Sequence, residues 1–126
     1  MTKLLEANAI LRYLLNDVEA QAQIVEEAVN NGAFTIGEVV AEVVYVLNGV
    51  YEVSRPEIAT TLKIFLTEID IAEKPVINYA LSLFGDSSLD YIDCVLIARH
   101  MILKQEILTF DKKINNRLIK FNGTKR

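Results

Sequence analysis

A chain of 126 residues that is 52% apolar holds enough hydrophobic material for one core and has no room for a second of ordinary size. That apolar share excludes a disordered chain, and a net charge of −4 excludes a surface coated in positive charge for duplex DNA. The single cysteine, Cys94, excludes an internal disulfide and a cysteine-rich zinc site. No apolar run is long enough to span a bilayer, so no membrane association is expected. Glu6, Arg12 and Asp17 interrupt the apolar N-terminal stretch, and no small-residue cleavage site follows it. The expectation is a single domain over residues 1–126, in the cytoplasm.

Residues 3–5 read as a short strand ending at Glu6. Asn8 is a candidate cap for an apolar-periodic helix over 9–15, which Asn16 and Asp17 break. Residues 18–30 show helical spacing at Ala22, Val25, Ala28 and Val29, with Asn31 and Gly32 as the stop. Residues 33–35 form a short strand or approach segment into a strongly apolar helix over 38–48, closed by Gly49. Ser54 caps the next helix; Glu57 completes a capping box and Pro56 fits the first turn. That helix runs to about Glu68, and residues 69–71 are a short β-branched strand.

A further helix is expected over 74–84, with Pro75 near its start and Gly85 at its end. Ser87 or Ser88 caps another over 89–103. Ile107, Leu108, Thr109 and Phe110 are the clearest strand, ending at Asp111. A short helix over 112–118 and a final strand over 119–121 complete the chain. Short apolar strands alternating with helices predict an α/β fold with a parallel sheet covered on both faces.

Four acids stand where apolar runs end or inside apolar helices: Glu6, Glu42, Asp93 and Asp111. A carboxylate in such a place costs free energy unless it is paired, hydrogen-bonded or metal-bound. In open α/β sheets, active groups gather beyond the carboxyl ends of strands, and Glu6 and Asp111 both end strands in this reading. The four together predict one acidic pocket for a divalent cation. Magnesium or manganese takes oxygen ligands and activates water, which points to phosphodiester hydrolysis.

Each acid has a structural alternative. Glu6 can be an exposed strand-end residue. Glu38 and Glu42 lie four apart on one helix face, and spacing alone leaves the choice between them open. Asp90, three after Ser87, reads as a capping-box acid, and Asp111 as the cap of the helix after it. No acid follows Asp111, while Lys112, Lys113, Arg117, Lys120, Lys125 and Arg126 do. This basic flank either holds a phosphate backbone or is a solvated helix and tail. His100, the only histidine, has no partner pattern and reads as a helix-terminal residue. Cys94 reads as a small core hydrophobe. Tyr45, Tyr51, Tyr79 and Tyr91 read as packing anchors before base-stacking groups.

The stretches LLEANAILRYLLND, VVAEVVYVLNGVY, LDYIDCVLIARH and LTFDKKI, in that order and spacing, resemble the four motifs of the PIN-domain family. The resemblance is closest to its small VapC-like toxin ribonucleases of prokaryotic toxin–antitoxin pairs, and it covers nearly the whole chain. It implies a three-layer fold, with a central mainly parallel sheet flanked by helices. It implies metal-dependent endonucleolytic cleavage of RNA, with Glu6, Glu42, Asp93 and Asp111 holding magnesium or manganese and Asp90 beside Asp93 in the metal set. It selects Glu42 over Glu38. It assigns Asn8 to orienting Glu6 or a metal-bound water, Thr109 to a contact beside Asp111 or equally to a core or strand role, and Arg12 to phosphate or antitoxin. It also implies a homodimer and a cognate antitoxin.

One position departs from the family pattern. The first acid is normally aspartate, and Glu6 adds a methylene. A misplacement near 1 Å at a reacting centre costs about 100-fold in rate. Two functions of different class therefore stand. One is an active endoribonuclease. The other is a catalytically weakened or inactive domain that binds RNA or an antitoxin without cleaving. A DNA-directed nuclease suits the negative charge less well. A phosphatase or phosphoryl-accepting regulator fits poorly with Glu42 and Asp93 in separate helices.

Overall fold

In the computed structural model, which describes residues 2–121, the chain is mainly helical. The described elements are α1 (Ala7–Leu15), α2 (Glu19–Asn30), β1 (Phe34–Thr35), α3 (Gly37–Gly49), α4 (Arg55–Phe65), β2 (Asp70–Ile71), α5 (Lys74–Asp86), α6 (Tyr91–Leu103) and α7 (Lys112–Phe121). The helices follow from apolar residues at three- and four-residue spacing, which collects them on one face. Thus α1 buries Ala7, Ile10 and Leu11, and α2 buries Ala22, Val25 and Val29. α3 is buried at Val40, Val43, Val44 and Leu47, and α5 at Val76, Ile77, Ala80, Leu81, Leu83 and Phe84. α5 packs between α4 and α6, and α1 packs on α2 and α3. Among the described residues, no helix is long and apolar enough to cross a membrane.

Helix ends follow their caps. The Ser54 hydroxyl accepts from the Glu57 N–H at 3.3 Å and starts α4, as the capping box predicts. α1 starts two residues earlier than expected, because Glu6 and not Asn8 is its cap. α6 starts at Tyr91, not residue 89, and its capping position is Asp90. Ser87 belongs to the end of α5, donating its hydroxyl to the Leu83 carbonyl at 2.7 Å.

The expected three-layer fold, with its central mainly parallel sheet of several strands, does not form. β1 and β2 make a two-stranded parallel sheet, with Phe34 opposite Asp70 and Thr35 opposite Ile71. The segment at Leu4 joins β1 through one parallel bridge, with Leu5 N–H donating to the Phe34 carbonyl at 2.8 Å. Buried Thr35 adds a side-chain tie, its hydroxyl donating to the Leu5 carbonyl at 2.9 Å. The parallel direction is as expected; the layer is too short to be a central sheet, and helix-on-helix contacts carry the core.

Residues 107–110 are not a strand. Leu108 and Phe110 are 89% and 93% exposed. The backbone around them is spent on side chains. The Thr109 carbonyl accepts from Asn115 Nδ2 at 3.0 Å, and the Gln105 carbonyl lies 2.9 Å from His100 Nδ1. The β-branched and aromatic side chains are right for a strand, but among the described residues no neighbouring strand offers a ladder. The expected strand over 119–121 is instead the end of α7, because Ile114 and Leu118 bury one helical face.

Substituting Leu108 and Phe110 together by serine should change unfolding free energy by less than about 0.5 kcal/mol, as for exposed sites, whereas Ile10→Ala should cost about 2–5 kcal/mol. Urea unfolding measures both, and a loss above about 2 kcal/mol from the Leu108/Phe110 pair would place the segment in a buried sheet. A methyl group at Gly85 would lie 2.9 Å from the Ala59 Cβ. Gly85→Ala should therefore destabilise by about 1–3 kcal/mol despite the better helix propensity of alanine, read in the same experiment.

Candidate acidic site

Asp93 lies in the first turn of α6, half-buried beside Cys94, whose side chain is fully enclosed. Burial pushes its carboxyl above the usual carboxylate value, and the charges of Asp90 and Asp111 push in the same direction; Lys113 opposes them. Three predicted acids therefore share one electrostatic neighbourhood, with a lysine at its border. Two elements build it. The start of α6 supplies Asp90 and Asp93, and the start of α7 supplies Asp111 and Lys113.

Asp111 also performs the capping role that its position suggests. Its Oδ1 accepts from the Ile114 N–H at 3.1 Å, and its own N–H donates to the Thr109 hydroxyl at 3.0 Å. Thr109 thus touches Asp111 through the backbone.

Glu6 and Glu42 are not among the charges that act on Asp93. Glu6 is exposed, and its Oε1 accepts from the Ala9 N–H at 2.6 Å, capping α1. Asn8, exposed in the first turn, has no hydrogen bond to Glu6 among the described residues. Glu42 is exposed on α3 and makes no hydrogen bond or ion pair with the described residues. Its neighbour by one turn, Glu38, lines a cavity of about 370 Å³ between α3, α5 and α6, beyond the carboxyl ends of β1 and β2. Among the described residues, no three His, Cys, Asp or Glu side chains converge as a metal-holding group. The donor chemistry suits magnesium or manganese, but the described arrangement does not assemble a coordination sphere.

Arg12 is tied into the fold. It donates to Asp17 at 3.0 Å and to the Tyr51 hydroxyl at 3.2 Å, and the Tyr51 bond, with Asp17, holds its guanidinium more firmly protonated. His100 is in the last turn of α6, as a helix-terminal residue should be. Burial pushes the Cys94 thiol up to about 11, consistent with an inert packed side chain. Two polar groups escaped the sequence reading, Glu73 and Asn78, and Tyr91 reads there only as a packing anchor or base-stacking group. Tyr91 is 1% exposed, with its hydroxyl unpartnered among the described residues. Glu73 takes a left-handed backbone and pairs with Arg99 at 2.6 Å. Asn78 has a buried and unpartnered Oδ1. Glu73 and Asn78 carry no motif signal, since what faces them, Arg99 and Arg117, comes from other helices.

A family model described as PIN domain matches residues 3–117. No curated protein and no solved structure matches the chain.

Loss of the Glu6 cap should cost about 1 kcal/mol in Glu6→Ala and leave Glu6→Asp near the parent value, since aspartate caps well. Denaturant midpoints check this. Because the folded state raises the Asp93 pKa, it holds that proton more tightly than the unfolded chain. The stabilising contribution is full below the ordinary value of 3.8 and is lost as pH rises through the folded value. Asp93→Asn should raise the melting midpoint at neutral pH by roughly 1–3 °C, with the gain vanishing below that ordinary value. Thermal scans across the acid range give the sign directly.

Proposed function

This chain belongs to the PIN-domain family, and we propose that within it the chain acts by binding RNA, with cleavage weakened or absent. Family membership is consistent with a general nuclease function. The observation that carries the weakened form is the state of Glu6. Its carboxylate caps α1 at 2.6 Å and is not among the charges that move the Asp93 carboxyl. A carboxylate engaged with a backbone donor is less available to a cation, and the extra methylene changes its reach. The acid-free basic helix α7, which begins beside Asp93, supports RNA as the bound polymer.

The second reading is the active toxin: a magnesium- or manganese-dependent endoribonuclease, homodimeric and held by an antitoxin. The observation favouring it is the Asp90–Asp93–Asp111 neighbourhood, whose oxygens are the donors such ions take.

Purified protein incubated with labelled RNA and magnesium or manganese separates the two. The expected result is retained RNA binding, with cleavage at least about 100-fold slower than that of Glu6→Asp, the scale of a 1 Å misplacement. Binding without cleavage by either form also fits the silent domain. Cleavage by the parent chain as fast as by Glu6→Asp, and lost in Asp93→Ala, makes it the active enzyme. No RNA binding by any form removes the proposal.

A further inference from the structure

A cavity of about 460 Å³ opens between α5 and α7, apart from the acidic site, with Asn78, Tyr79, Ser82, Asp86 and Arg117 in its wall. Its size is within the ordinary range for small-ligand pockets. Two of its polar groups are unspent. Arg117 is half-buried, yet its guanidinium has no hydrogen bond or ion pair among the described residues. Half-buried Asn78 has its Oδ1 enclosed and unpartnered, and its amide makes no hydrogen bond to the described residues. The Arg117 guanidinium and the Asn78 Nδ2–H are donors with no partner among the described residues, and donors are what an anion with several oxygens uses; the enclosed Asn78 Oδ1 is an acceptor and gains nothing from an anion.

The surroundings favour a polymer over a small free anion. Lys113, Arg117 and Lys120 follow one another at i, i+4 and i+7, and so form a stripe along one face of α7. The stripe starts at Lys113, which acts on Asp93, and passes the cavity at Arg117. A second cavity of about 390 Å³ shares Ser82 and Asp86 with the first. On that side Lys63 donates to the Ser82 hydroxyl at 2.6 Å. Cations thus flank both sides of the Ser82 wall. Asp86 is the one acid in the lining and works against an anion there.

We propose that the α5–α7 cavity is a phosphate subsite for single-stranded RNA, with the Arg117 guanidinium and the Asn78 amide donating to a backbone phosphate. The inference rests on the RNA-binding reading above. It adds the path: RNA leaves the acidic neighbourhood along the lysine–arginine stripe of α7 and places a phosphate at Arg117. A guanidinium fork suits phosphate oxygens, and a half-desolvated one binds them more strongly than a solvated lysine would.

Fluorescence anisotropy of a labelled single-stranded RNA, measured over a salt series without divalent metal, tests it. Arg117→Ala should weaken binding about 10-fold near 0.1 M salt and flatten the slope of log affinity against log salt by about 0.7, one single-strand phosphate contact. Arg117→Lys should keep the slope and lose part of the affinity. Asp86→Asn should bind tighter. In nitrogen-15 NMR the Arg117 Nε–H and the Asn78 side-chain amide should shift with the RNA. Inorganic phosphate alone, at matched phosphate concentration, should move them less. RNA binding with an unchanged slope in a folded Arg117→Ala protein overturns the subsite and leaves the RNA reading standing. A larger response to inorganic phosphate than to RNA overturns the backbone assignment. If no form binds RNA, both readings fall.

Discussion

Arg55 is the brace on which the placement of α6, and with it Asp90 and Asp93, depends. Its guanidinium lies 3.7 Å above the Phe84 ring, donates through Nε to the Phe84 carbonyl at 2.9 Å, and donates through Nη2 to the Leu89 carbonyl. One side chain from the first turn of α4 thereby closes the C-terminal end of α5 and fixes the turn that launches α6. A half-buried guanidinium is tolerable because its donors reach carbonyls and its face reaches an aromatic ring. Phe84 in turn meets Tyr91 edge-on at 6.0 Å, so the same corner carries the aromatic contact that seats α6.

From that corner the acidic neighbourhood follows. Asp90 and Asp93 ride on the start of α6, and Asp111 and Lys113 arrive with α7, whose Ile114 and Leu118 are buried. Glu6 is governed by a different part of the molecule, the parallel bridge of Leu4 to β1 and the Thr35 hydroxyl on Leu5. The acids therefore belong to two structural units. Capping α1 offers Glu6 a short, charge-assisted bond to a backbone N–H, a contact that competes with any shared ion. The Glu6 carboxylate thus serves the start of α1.

Much of the helical framework was legible. The spacing of Ala22, Val25 and Val29 predicted α2, the Ser54–Glu57 pattern predicted the start of α4, and Gly49 marked the end of α3. These signals are local: each depends on residues within one or two turns. The strand at 107–110 was misread because its signal is also local while a strand is not. Ile107 to Phe110 have the side chains of a strand, but pairing requires a neighbour, and their backbone is engaged by Asn115 and its surroundings instead. The cap of α1 was misplaced for a related reason. Asn8 is the better cap residue by type, but the turn beginning at Glu6 decides which side chain reaches a free N–H.

The acidic residues themselves, the lone buried cysteine, the basic and acid-free α7, and the motif order that places the chain in its family were all determined by the amino-acid sequence alone. Composition and periodicity are sufficient for these, because they are properties of neighbours along the chain. Tertiary structure decided which acids feel one another's charge. It set Asp93 within electrostatic reach of Asp90 and of Asp111 on the next helix, left Glu6 on its helix end, and left Asn78 and Arg117 in one cavity wall. The physical reason is range. Carboxylate coupling and cavity lining act between side chains brought together by packing, and no spacing within one segment encodes which faces of two distant helices will confront each other.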